Sequence, residues 1–294
     1  MEEKRVIALG FFDGVHLGHQ ALLQQCRILS AQQNCGAAAV TFDLSPSVVL
    51  QNQPPKMITS VQDRCALLRQ YGADTVQVLP ATKELLATPW DAFLSQLVAE
   101  GAAGFVCGED YRFGYQGLGD SHKLAEFARE RGIPYIVVPE QKMDGEKISS
   151  TRIRSLLEQG KTEKANRLLG HPHIFTGQVV SGRKLGRTMG IPTANLQFPP
   201  EVLIPRFGVY ACLACFDGEK YPAVANVGTR PTVGGHKVTA EPWILDFEGD
   251  LYGKTVTLEM HQFLRPEKKF DSLDTLREEI QKNAAQTRKF FKKK

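Results

Sequence analysis

Two patterns of apolar and polar positions alternate along the first half of the chain. Short apolar runs predict five buried strands, at 5–9, 37–42, 75–79, 104–107 and 134–138. Apolar residues at helical spacing predict helices between them and after the last strand, at about 20–25, 60–71, 89–97, 121–131 and 150–159. Strands that alternate with helices are typical of an α/β fold with a doubly wound parallel sheet. Such a sheet binds its ligands beyond the carboxyl ends of its strands.

From about residue 170 the pattern changes to short β-rich runs separated by glycine and proline. These runs predict strands at 174–180, 209–216, 219–227, 243–247 and 255–263. Asp217-Gly218 predicts a hairpin between the second and third of these strands, and the turn at 250–253 predicts another between the last two. We therefore expect a small antiparallel β-barrel followed by a terminal helix that begins at Asp271 or Ser272. The predicted domains are 1–170 and 171–294.

Composition and charge argue against a nucleic-acid-binding protein, a membrane-spanning protein and a secreted protein. The chain has 294 residues, of which 42% are apolar, and its net charge of +4 is too small to indicate a nucleic-acid partner. No apolar run reaches the ~20 residues of a membrane span, and the first residues lack a signal-peptide pattern. Six cysteines are scattered, and Cys212 and Cys215 are predicted on opposite faces of one strand. We expect a cytoplasmic protein with reduced thiols and no membrane partner; the oligomeric state is not predicted.

The stretch from Gly10 to His19 joins the first predicted strand to the first predicted helix. Asp13-Gly14 supplies a turn, and His16 and His19 follow on one face near the helix N-terminus. Such a terminus presents free N–H groups and a partial positive charge, which suit a phosphate. Gly18 between the histidines allows a flat ligand to approach the backbone. We interpret this stretch as a phosphate site rather than a turn with two incidental histidines.

A second anion site is predicted where the last helix of the first half begins. One of the two serines at 149–150 can cap this helix, but Ser150, Thr151, Arg152 and Arg154 together exceed what a cap requires. The helix dipole, the hydroxyl donors and the guanidinium groups all favour a polyphosphate. The sequence has neither a Walker A pattern nor a GxGxxG after a strand, so these two stretches are the candidates for holding nucleotide phosphates.

The second half contains a glycine-rich, basic stretch at 182–191 followed by Pro192-Thr193-Ala194-Asn195. Its glycines free the backbone and its cations attract anions, so the stretch predicts a flap over phosphates. The flap residues are Gly182, Lys184, Gly186 and Arg187. The hydroxyl of Thr193 and the amide oxygen of Asn195 are hard ligands that suit Mg²⁺.

The stretches 10–19 and 148–154 together resemble the HxGH nucleotidyltransferases, in particular the FMN adenylyltransferase module of prokaryotic bifunctional FAD synthetases. The resemblance implies transfer of AMP from ATP to FMN, giving FAD and pyrophosphate, with Mg²⁺ as cofactor. It implies catalytic roles at the phosphates for His16, His19 and Arg154. The nucleotide-binding residues that it implies are Gly10, Phe11, Asp13, Gly18, Ser150 and Thr151, and the flavin-binding residues are Gly108, Asp110, Tyr111 and Phe113.

One loop departs from that family's pattern. The family usually has two prolines flanking a histidine after the phenylalanine at the end of the second strand. Here the stretch 42–46 has the sequence Phe-Asp-Leu-Ser-Pro, so no role in nucleotide or flavin binding is assigned to the 42–47 loop.

The stretch 182–195 resembles the riboflavin kinase motif, and the resemblance implies that the second half phosphorylates riboflavin with ATP. Because riboflavin attacks through a neutral alcohol, a base must accept its proton. The resemblance implies Glu241 as that base, Thr193 and Asn195 as Mg²⁺ ligands and ATP contacts, and Arg265 as a flavin contact or closing residue. Where the family often has a histidine two residues after the glutamate, this chain has Trp243.

Two alternatives to a bifunctional enzyme stay open on the sequence. In the first, only the adenylyltransferase is active and the barrel is a non-catalytic flavin-binding module; the presence of Thr193, Asn195 and Glu241 argues against it. In the second, the His-x-Gly-His pattern belongs to a tRNA-linked enzyme. The short chain and mild charge disfavour that hypothesis.

Overall fold

The computed structural model describes residues 4–45, 55–180, 190–232 and 235–292, without the side chains of 230–237. The chain forms two compact units, each built around its own sheet. The first unit comprises Met1–Met57 and Val61–Ser150, and the second comprises Ile58–Ser60 and Thr151–Lys294.

The first unit contains a five-stranded, all-parallel sheet, as the alternating pattern predicts. Its strands are β1 (Arg5–Leu9), β2 (Gly36–Phe42), β3 (Thr75–Leu79), β4 (Ala102–Gly108) and β5 (Tyr135–Val138). The strand order is β3-β2-β1-β4-β5, so the direction of winding reverses at β1. Ligands of doubly wound sheets bind at this reversal, beyond the carboxyl ends of the strands. The loops after β1, β2 and β4 lie at that edge.

Five helices and a small hairpin complete the first unit in the described ranges. The helices are α1 (Leu17–Gln32), α2 (Val61–Gln70), α3 (Lys83–Leu86), α4 (Trp90–Ala99) and α5 (Ser121–Glu130), and the hairpin strands are β6 (Lys142–Met143) and β7 (Glu146–Lys147). Burial of apolar side chains fixes the helices on the sheet, for example Leu94 of α4 and Leu124 of α5 against Phe105 of β4.

The second unit contains an antiparallel, nearly closed six-stranded barrel. Its strands are β8 (His173–Gln178), β9 (Leu196–Gln197), β10 (Gly208–Phe216), β11 (Glu219–Thr232), β12 (Gly235–Ile244) and β13 (Thr255–Pro266), in the order β8-β13-β10-β11-β12-β9. A bridge between Val179 and Leu196 brings the two ends of this sheet together. Side chains of Phe175, Tyr210 and Met260 fill the interior.

Three helices accompany the barrel: α6 (Ser150–Glu158), α7 (Thr162–Leu169) and α8 (Leu273–Phe291). Helix α8 begins at the Ser272 cap, where a capping box with Thr275 satisfies the first turn. Its Ala284 packs on Val209 of β10 and Val224 of β11. The expected terminal helix is therefore confirmed, with its start at the second of the two candidate caps.

One predicted hairpin is wrong. The runs at 243–247 and 255–263 do not pair, because β12 pairs with β11 and β9, whereas β13 pairs with β10 and β8. The strand β12 begins at Gly235 and ends at Ile244, so only the first two residues of the run at 243–247 belong to it. The turn at 250–253 exists, but it joins strands that lie apart in the sheet.

Candidate active sites

The loop from β1 to α1 has an unusual backbone. Phe12, Gly14 and Val15 have φ angles of 59°, 79° and 40°. A positive φ is costly for a β-branched residue such as Val15, and such strain is concentrated at functional sites. The side chains of Phe12 and Val15 are fully buried, which holds the loop in this conformation. The result is a sharp turn that brings α1 to the carboxyl edge of the sheet.

His16 is the N-cap of α1. Its Nδ1 accepts a hydrogen bond from the backbone N–H of His19 at 3.4 Å. A neutral imidazole that accepts at Nδ1 carries its proton on Nε2, so Nε2 is the hydrogen-bond donor of His16. The sequence pattern predicts the helix a few residues later, at 20; the structure makes the first histidine part of the helix terminus itself.

The imidazoles of His16 and His19 stack, with ring centroids 3.6 Å apart and an interplanar angle of 14°. Gly18 makes this stack possible, because a Cβ there would lie 3.1 Å from Cε1 of His16. Burial, then the neighbouring His16 and Arg64, lower the pKa of His19 well below its usual 6.5. His19 is therefore neutral at neutral pH.

Four further predicted residues of the first unit lie in this loop or contact it: Gly10, Phe11, Asp13 and Ser150. Asp13 is buried, and its backbone oxygen accepts a hydrogen bond from the Ser150 hydroxyl at 3.0 Å. The backbone oxygen of Phe11 accepts one from Thr41 at 2.7 Å. A Cβ on Gly10 would lie 2.9 Å from the Phe12 ring, so the glycine makes room for that buried ring. The structure thus brings these residues together around the histidine loop.

Thr151 and Arg154 belong to the second unit, on α6. The Arg154 Nη1 donates a hydrogen bond to the Thr151 hydroxyl at 3.3 Å, so the two side chains share one face of the helix. Their action on the phosphates held by His16 and His19 stays a prediction.

The loop after β4 carries the four predicted flavin-binding residues. Asp110 accepts a hydrogen bond from the Lys147 ammonium at 2.5 Å, and the same ammonium also bonds Glu140. Gly108 leaves space beside the Asp110 carboxylate, since a Cβ there would lie 3.1 Å from Oδ1. Asp110 thus fixes a basic side chain from β7.

Of the two aromatic residues of that loop, Phe113 is buried and Tyr111 is partly buried. Phe113 is 6% exposed and packs on Phe93 and Tyr111, with ring centroids 6.0 Å and 5.4 Å away. Burial raises the pKa of Tyr111 above its usual value. Phe113 supports the loop from within, and a direct flavin contact by either ring stays a prediction.

The second unit contains a cavity of about 490 Å³. Its wall includes Glu241 on β12, Asn226 on β11, Thr193 and Arg265. This volume lies within the range of small-molecule sites, about 300–1,000 Å³. Three of these four residues are among those that the sequence implicates, so the fold brings them to one site.

Glu241 stands opposite Asn226 in the antiparallel register of β12 and β11. Its Oε1 accepts a hydrogen bond from the Thr239 hydroxyl at 3.3 Å. The side chain is partly buried, so it faces the cavity without being sealed from solvent. A carboxylate in this position can accept a proton from a bound alcohol.

Thr193 and Asn195 lie in an extended stretch beside β12. A bridge pairs Thr193 with Trp243, and Thr193 lines both the large cavity and a smaller one of about 60 Å³. Asn195 is 5% exposed, and its backbone oxygen accepts a hydrogen bond from Val180 at 2.9 Å. Asn195 is not part of the wall of either cavity, so a shared site with Thr193 stays a prediction. The predicted flap residues Gly182, Lys184, Gly186 and Arg187 lie outside the described residues.

Arg265 connects the cavity to the terminal helix. Its Nε donates a hydrogen bond to Oδ1 of Asn283 at 3.0 Å and lies 3.4 Å from a carboxylate oxygen of Glu279. Its guanidinium stands over the Phe270 ring, 5.5 Å from the centroid. These contacts fix Arg265 as an anchor of α8, which itself supplies part of the cavity wall.

Comparisons with known proteins assign this chain to one family. Residues 1–152 match the family model for FAD synthetase, and residues 169–291 match the family model for riboflavin kinase. A bifunctional riboflavin kinase/FMN adenylyltransferase from Listeria monocytogenes is 38% identical over 293 residues, covering 98% of this chain and 93% of that protein. The chain belongs to the bifunctional riboflavin kinase/FMN adenylyltransferase family.

Other relatives agree with this membership. The bifunctional riboflavin kinase/FMN adenylyltransferase of Escherichia coli K12 is 34% identical over 294 residues, covering 99% of this chain and 94% of that protein. A solved structure from Streptococcus pneumoniae, named a macrolide-efflux protein, has a TM-score of 0.87 at 32% identity and covers 98% of this chain. In the described ranges, no helix combines the length and apolar character needed to cross a membrane.

A bifunctional riboflavin kinase/FMN adenylyltransferase is an enzyme whose substrates are ATP and flavins, and both of its modules are present in this chain. The findings support the bifunctional hypothesis and not the monofunctional alternative. The sequence analysis expected reduced thiols, and all six cysteines are free in the structure, with Cys212 buried and Cys215 half-buried.

Sequence reasoning missed several residues of this family member's sites. Asn226 and Asn283 line the cavity, yet isolated asparagines carry no recognisable pattern. Arg64 on α2 is fully buried beside the histidine loop. A lone arginine on an amphipathic helix predicts a solvated charge, so its burial becomes visible only when the helix is packed.

Proposed function

We propose that the two units perform consecutive steps of flavin cofactor synthesis. The second unit transfers the γ-phosphoryl group of ATP to riboflavin, giving FMN and ADP. The first unit transfers AMP from a second ATP to FMN, giving FAD and pyrophosphate. The observation that carries this assignment is the separation of two chemistries: a carboxylate in a cavity in one unit, and a histidine pair with a neutral His19 at a helix N-terminus in the other.

In the kinase step, Glu241 accepts the proton of the attacking alcohol. A neutral alcohol is a poor nucleophile, and a base within hydrogen-bond reach assists its attack on the γ-phosphorus. Glu241 and Asn226 occupy the same part of the cavity wall. The basic stretch at 182–191, including Arg187, supplies positive charge for the ATP phosphates.

In the adenylyl-transfer step, no general base is needed, because the FMN phosphate is already an anion at neutral pH. Its oxygen attacks the α-phosphorus of ATP, and the bond to the leaving pyrophosphate breaks. The Nε2–H of His16, the His19 ring and the N-terminus of α1 donate hydrogen bonds to phosphate oxygens and stabilise the developing charge. Ser150, Thr151 and Arg154 hold the β- and γ-phosphates.

Mg²⁺ would be held in the second unit by oxygen donors of Thr193 and Asn195 together with ATP phosphates. The donor set fits this ion: Mg²⁺ prefers oxygen ligands and is often bound by one or two protein groups plus phosphates. Among the described residues, no cluster of three or more His, Cys, Asp or Glu side chains could hold a metal ion. The proposed Mg²⁺ site is one that the protein shares with the ATP phosphates. When bound, Mg²⁺ neutralises the charge of the phosphates.

Product chromatography tests the assignment. Wild-type protein is incubated with ATP and Mg²⁺ and either riboflavin or FMN. The proposal expects FMN and FAD from riboflavin, and FAD from FMN. If FAD forms from FMN but no product forms from riboflavin, the result supports the alternative in which the barrel is non-catalytic. If neither substrate gives a flavin product, both hypotheses are refuted. The six free cysteines support a reducing compartment, and we propose the cytoplasm.

A further inference from the structure

Arg64 is a buried arginine next to the adenylyl-transfer loop, and the function proposed above gives it no role. Its side chain lies on α2 and is 0% exposed. Burying a guanidinium is costly unless polar or aromatic partners replace the lost water. An arginine that has no solvent contact therefore requires a set of partners, and those partners indicate what it positions.

Most partners of Arg64 lie at the carboxyl ends of β1 and β2; in addition, its Nη1 donates to Sδ of Met57 at 3.9 Å. Its Nη2 donates hydrogen bonds to the backbone oxygens of Phe42 and Asp43, the second at 3.4 Å. Its guanidinium carbon stands 4.6 Å from the centroid of the Phe11 ring, a cation–π distance. Arg64 thus joins the loop after β2 to the loop after β1, at the point where the winding of the sheet reverses.

The loop after β1 is the one that supports the histidine pair. Phe12 follows Phe11 and packs edge-on against the His19 ring, with centroids 5.2 Å apart. The charged and titratable groups that act on His19 and Arg64 are His16, Asp13, Cys65 and Asp43. Nδ1 of His19 is buried and has no hydrogen-bond partner among the described residues. No acceptor therefore stabilises a proton on this atom.

We propose that Arg64 is a positioning residue for adenylyl transfer, which fixes the Phe11–Phe12 loop behind His19 and places a permanent positive charge there. This inference rests on the proposed role of His19. Because arginine stays protonated in proteins, its charge disfavours the imidazolium form of His19 at every pH of interest. Burial and His16 act in the same direction, and together with Arg64 they lower the pKa of His19. His19 then donates hydrogen bonds as a neutral ring.

Histidine titration by NMR tests this proposal without any substrate. The full-length protein is labelled at histidine Cε1, and His19 is assigned by its absence in His19→Gln. In wild-type protein we expect the His19 signal to stay at its neutral position through pH 6. In Arg64→Met we expect its pKa to rise, so that the signal shifts at a higher pH than in wild-type protein, since the charge is lost while Asp13 and Asp43 remain. Arg64→Lys, which keeps the charge, should retain the wild-type titration.

Arg69→Met is the matched control, because it removes an exposed positive charge from the same helix. An unchanged His19 titration in Arg64→Met, equal to that in Arg69→Met, would overturn the proposal. Arg64→Gln repeats the measurement with a polar side chain if the methionine variant does not fold.

The pH dependence of kcat for FAD synthesis provides the second readout. A merely structural role of Arg64 lowers kcat by the same factor at every pH. The proposal instead expects the ratio of Arg64→Met to wild-type kcat to fall as the pH is lowered below about 6, because His19 takes up its proton at a higher pH in the variant than in the wild-type protein. A pH-independent ratio would contradict it. If wild-type protein makes no FAD, the proposed function fails, whereas the NMR result still decides the role of Arg64.

Discussion

A Cβ atom on Gly18 would lie 3.1 Å from Cε1 of His16, so the glycine is required by its neighbour's ring. This relationship gives a physical reason for the third position of the His-x-Gly-His motif. The space serves the stack of His16 on His19 as well as any ligand that approaches the backbone. The same stack, with the cap that His16 forms, orients both imidazoles before substrate binds.

Replacing Gly18 with Ala should therefore reduce FAD synthesis. The methyl group displaces the His16 ring by a few tenths of an ångström, and we expect kcat to fall about tenfold, which corresponds to about 1.4 kcal/mol. Riboflavin phosphorylation should stay unchanged. Gly36→Ala is the control, because the nearest atom to its Cβ is Oδ2 of Asp74 at 3.9 Å. Equal FAD synthesis by the two variants would show that the ring has room to move.

The division of labour between the units predicts opposite defects in two variants. Glu241→Gln removes the proton acceptor, so FMN formation should fall at least about a hundredfold while FAD synthesis from FMN persists. His19→Gln should lose FAD synthesis and keep FMN formation. Glu248→Gln, at an exposed glutamate of the same unit, is the control and should keep both activities. Loss of both activities in either folded site variant would contradict the assignment of separate sites.

His173 should make the second unit acid-sensitive. Burial lowers its pKa from 6.5 to about 4, and its Nε2 lies 3.2 Å from the backbone oxygen of Ile58. The unfolded chain binds a proton at pH 5 that the folded state rejects, so stability is greatest above 6.5 and falls as the pH drops toward 4. The loss expected from this group is about 3 kcal/mol.

Denaturant unfolding at pH 7 and pH 4.5 measures this effect. In the Trp90→Phe background, fluorescence reports Trp243 of the second unit, since the chain has two tryptophans. His173→Gln should flatten the pH dependence of the free energy of unfolding, whereas His122→Gln, at an exposed histidine, should leave it as it is. A slope that survives in His173→Gln would assign the acid sensitivity to other groups.

Asn283 should be important for the anchorage of α8. It is 2% exposed, and its Oδ1 accepts the hydrogen bond from Arg265. Asn283→Ala removes this hydrogen bond and leaves Nε of Arg265 only its longer contact with Glu279, so the free energy of unfolding should fall by about 1 kcal/mol. Because α8 lines the cavity, the KM for riboflavin should rise as well. Gln281→Ala, at an exposed residue two positions before Asn283 in the same helix, is the matched control for thermal unfolding.

Local signals in the sequence predicted the parts of the fold that local interactions determine. The alternation of strands and helices identified the parallel sheet, and Asp217-Gly218 identified the hairpin that β10 and β11 form. The turn at 250–253 is equally local, with the Tyr252 N–H donating to Asp250 at 3.0 Å. Its presence does not decide which strands pair, because pairing depends on contacts between distant parts of the chain. That is why the predicted partner of β13 was wrong.

For the candidate sites, too, the sequence revealed residues that are close together in the chain and missed residues that only the fold brings together. His16, His19 and Gly18 lie within four positions of one another, so their motif revealed their chemistry. Arg64 reaches the same loop only through the folded position of α2, and its burial is a tertiary property. Asn226 likewise meets Glu241 only because β11 and β12 pair in one particular register.

Because side chains alternate along a strand, the register of β11 and β12 decides which residues face the cavity of the second unit. Val224 and Asn226 on β11 stand opposite Trp243 and Glu241 on β12, and all four line the cavity, while the residues between them face the other way. Inserting or deleting one residue within β12 before Glu241 would preserve a hydrogen-bonded strand and yet turn the carboxylate out of the cavity. A change of two residues would return a side chain to the cavity face. Among natural variants of this segment, we therefore expect changes in length to come in even numbers.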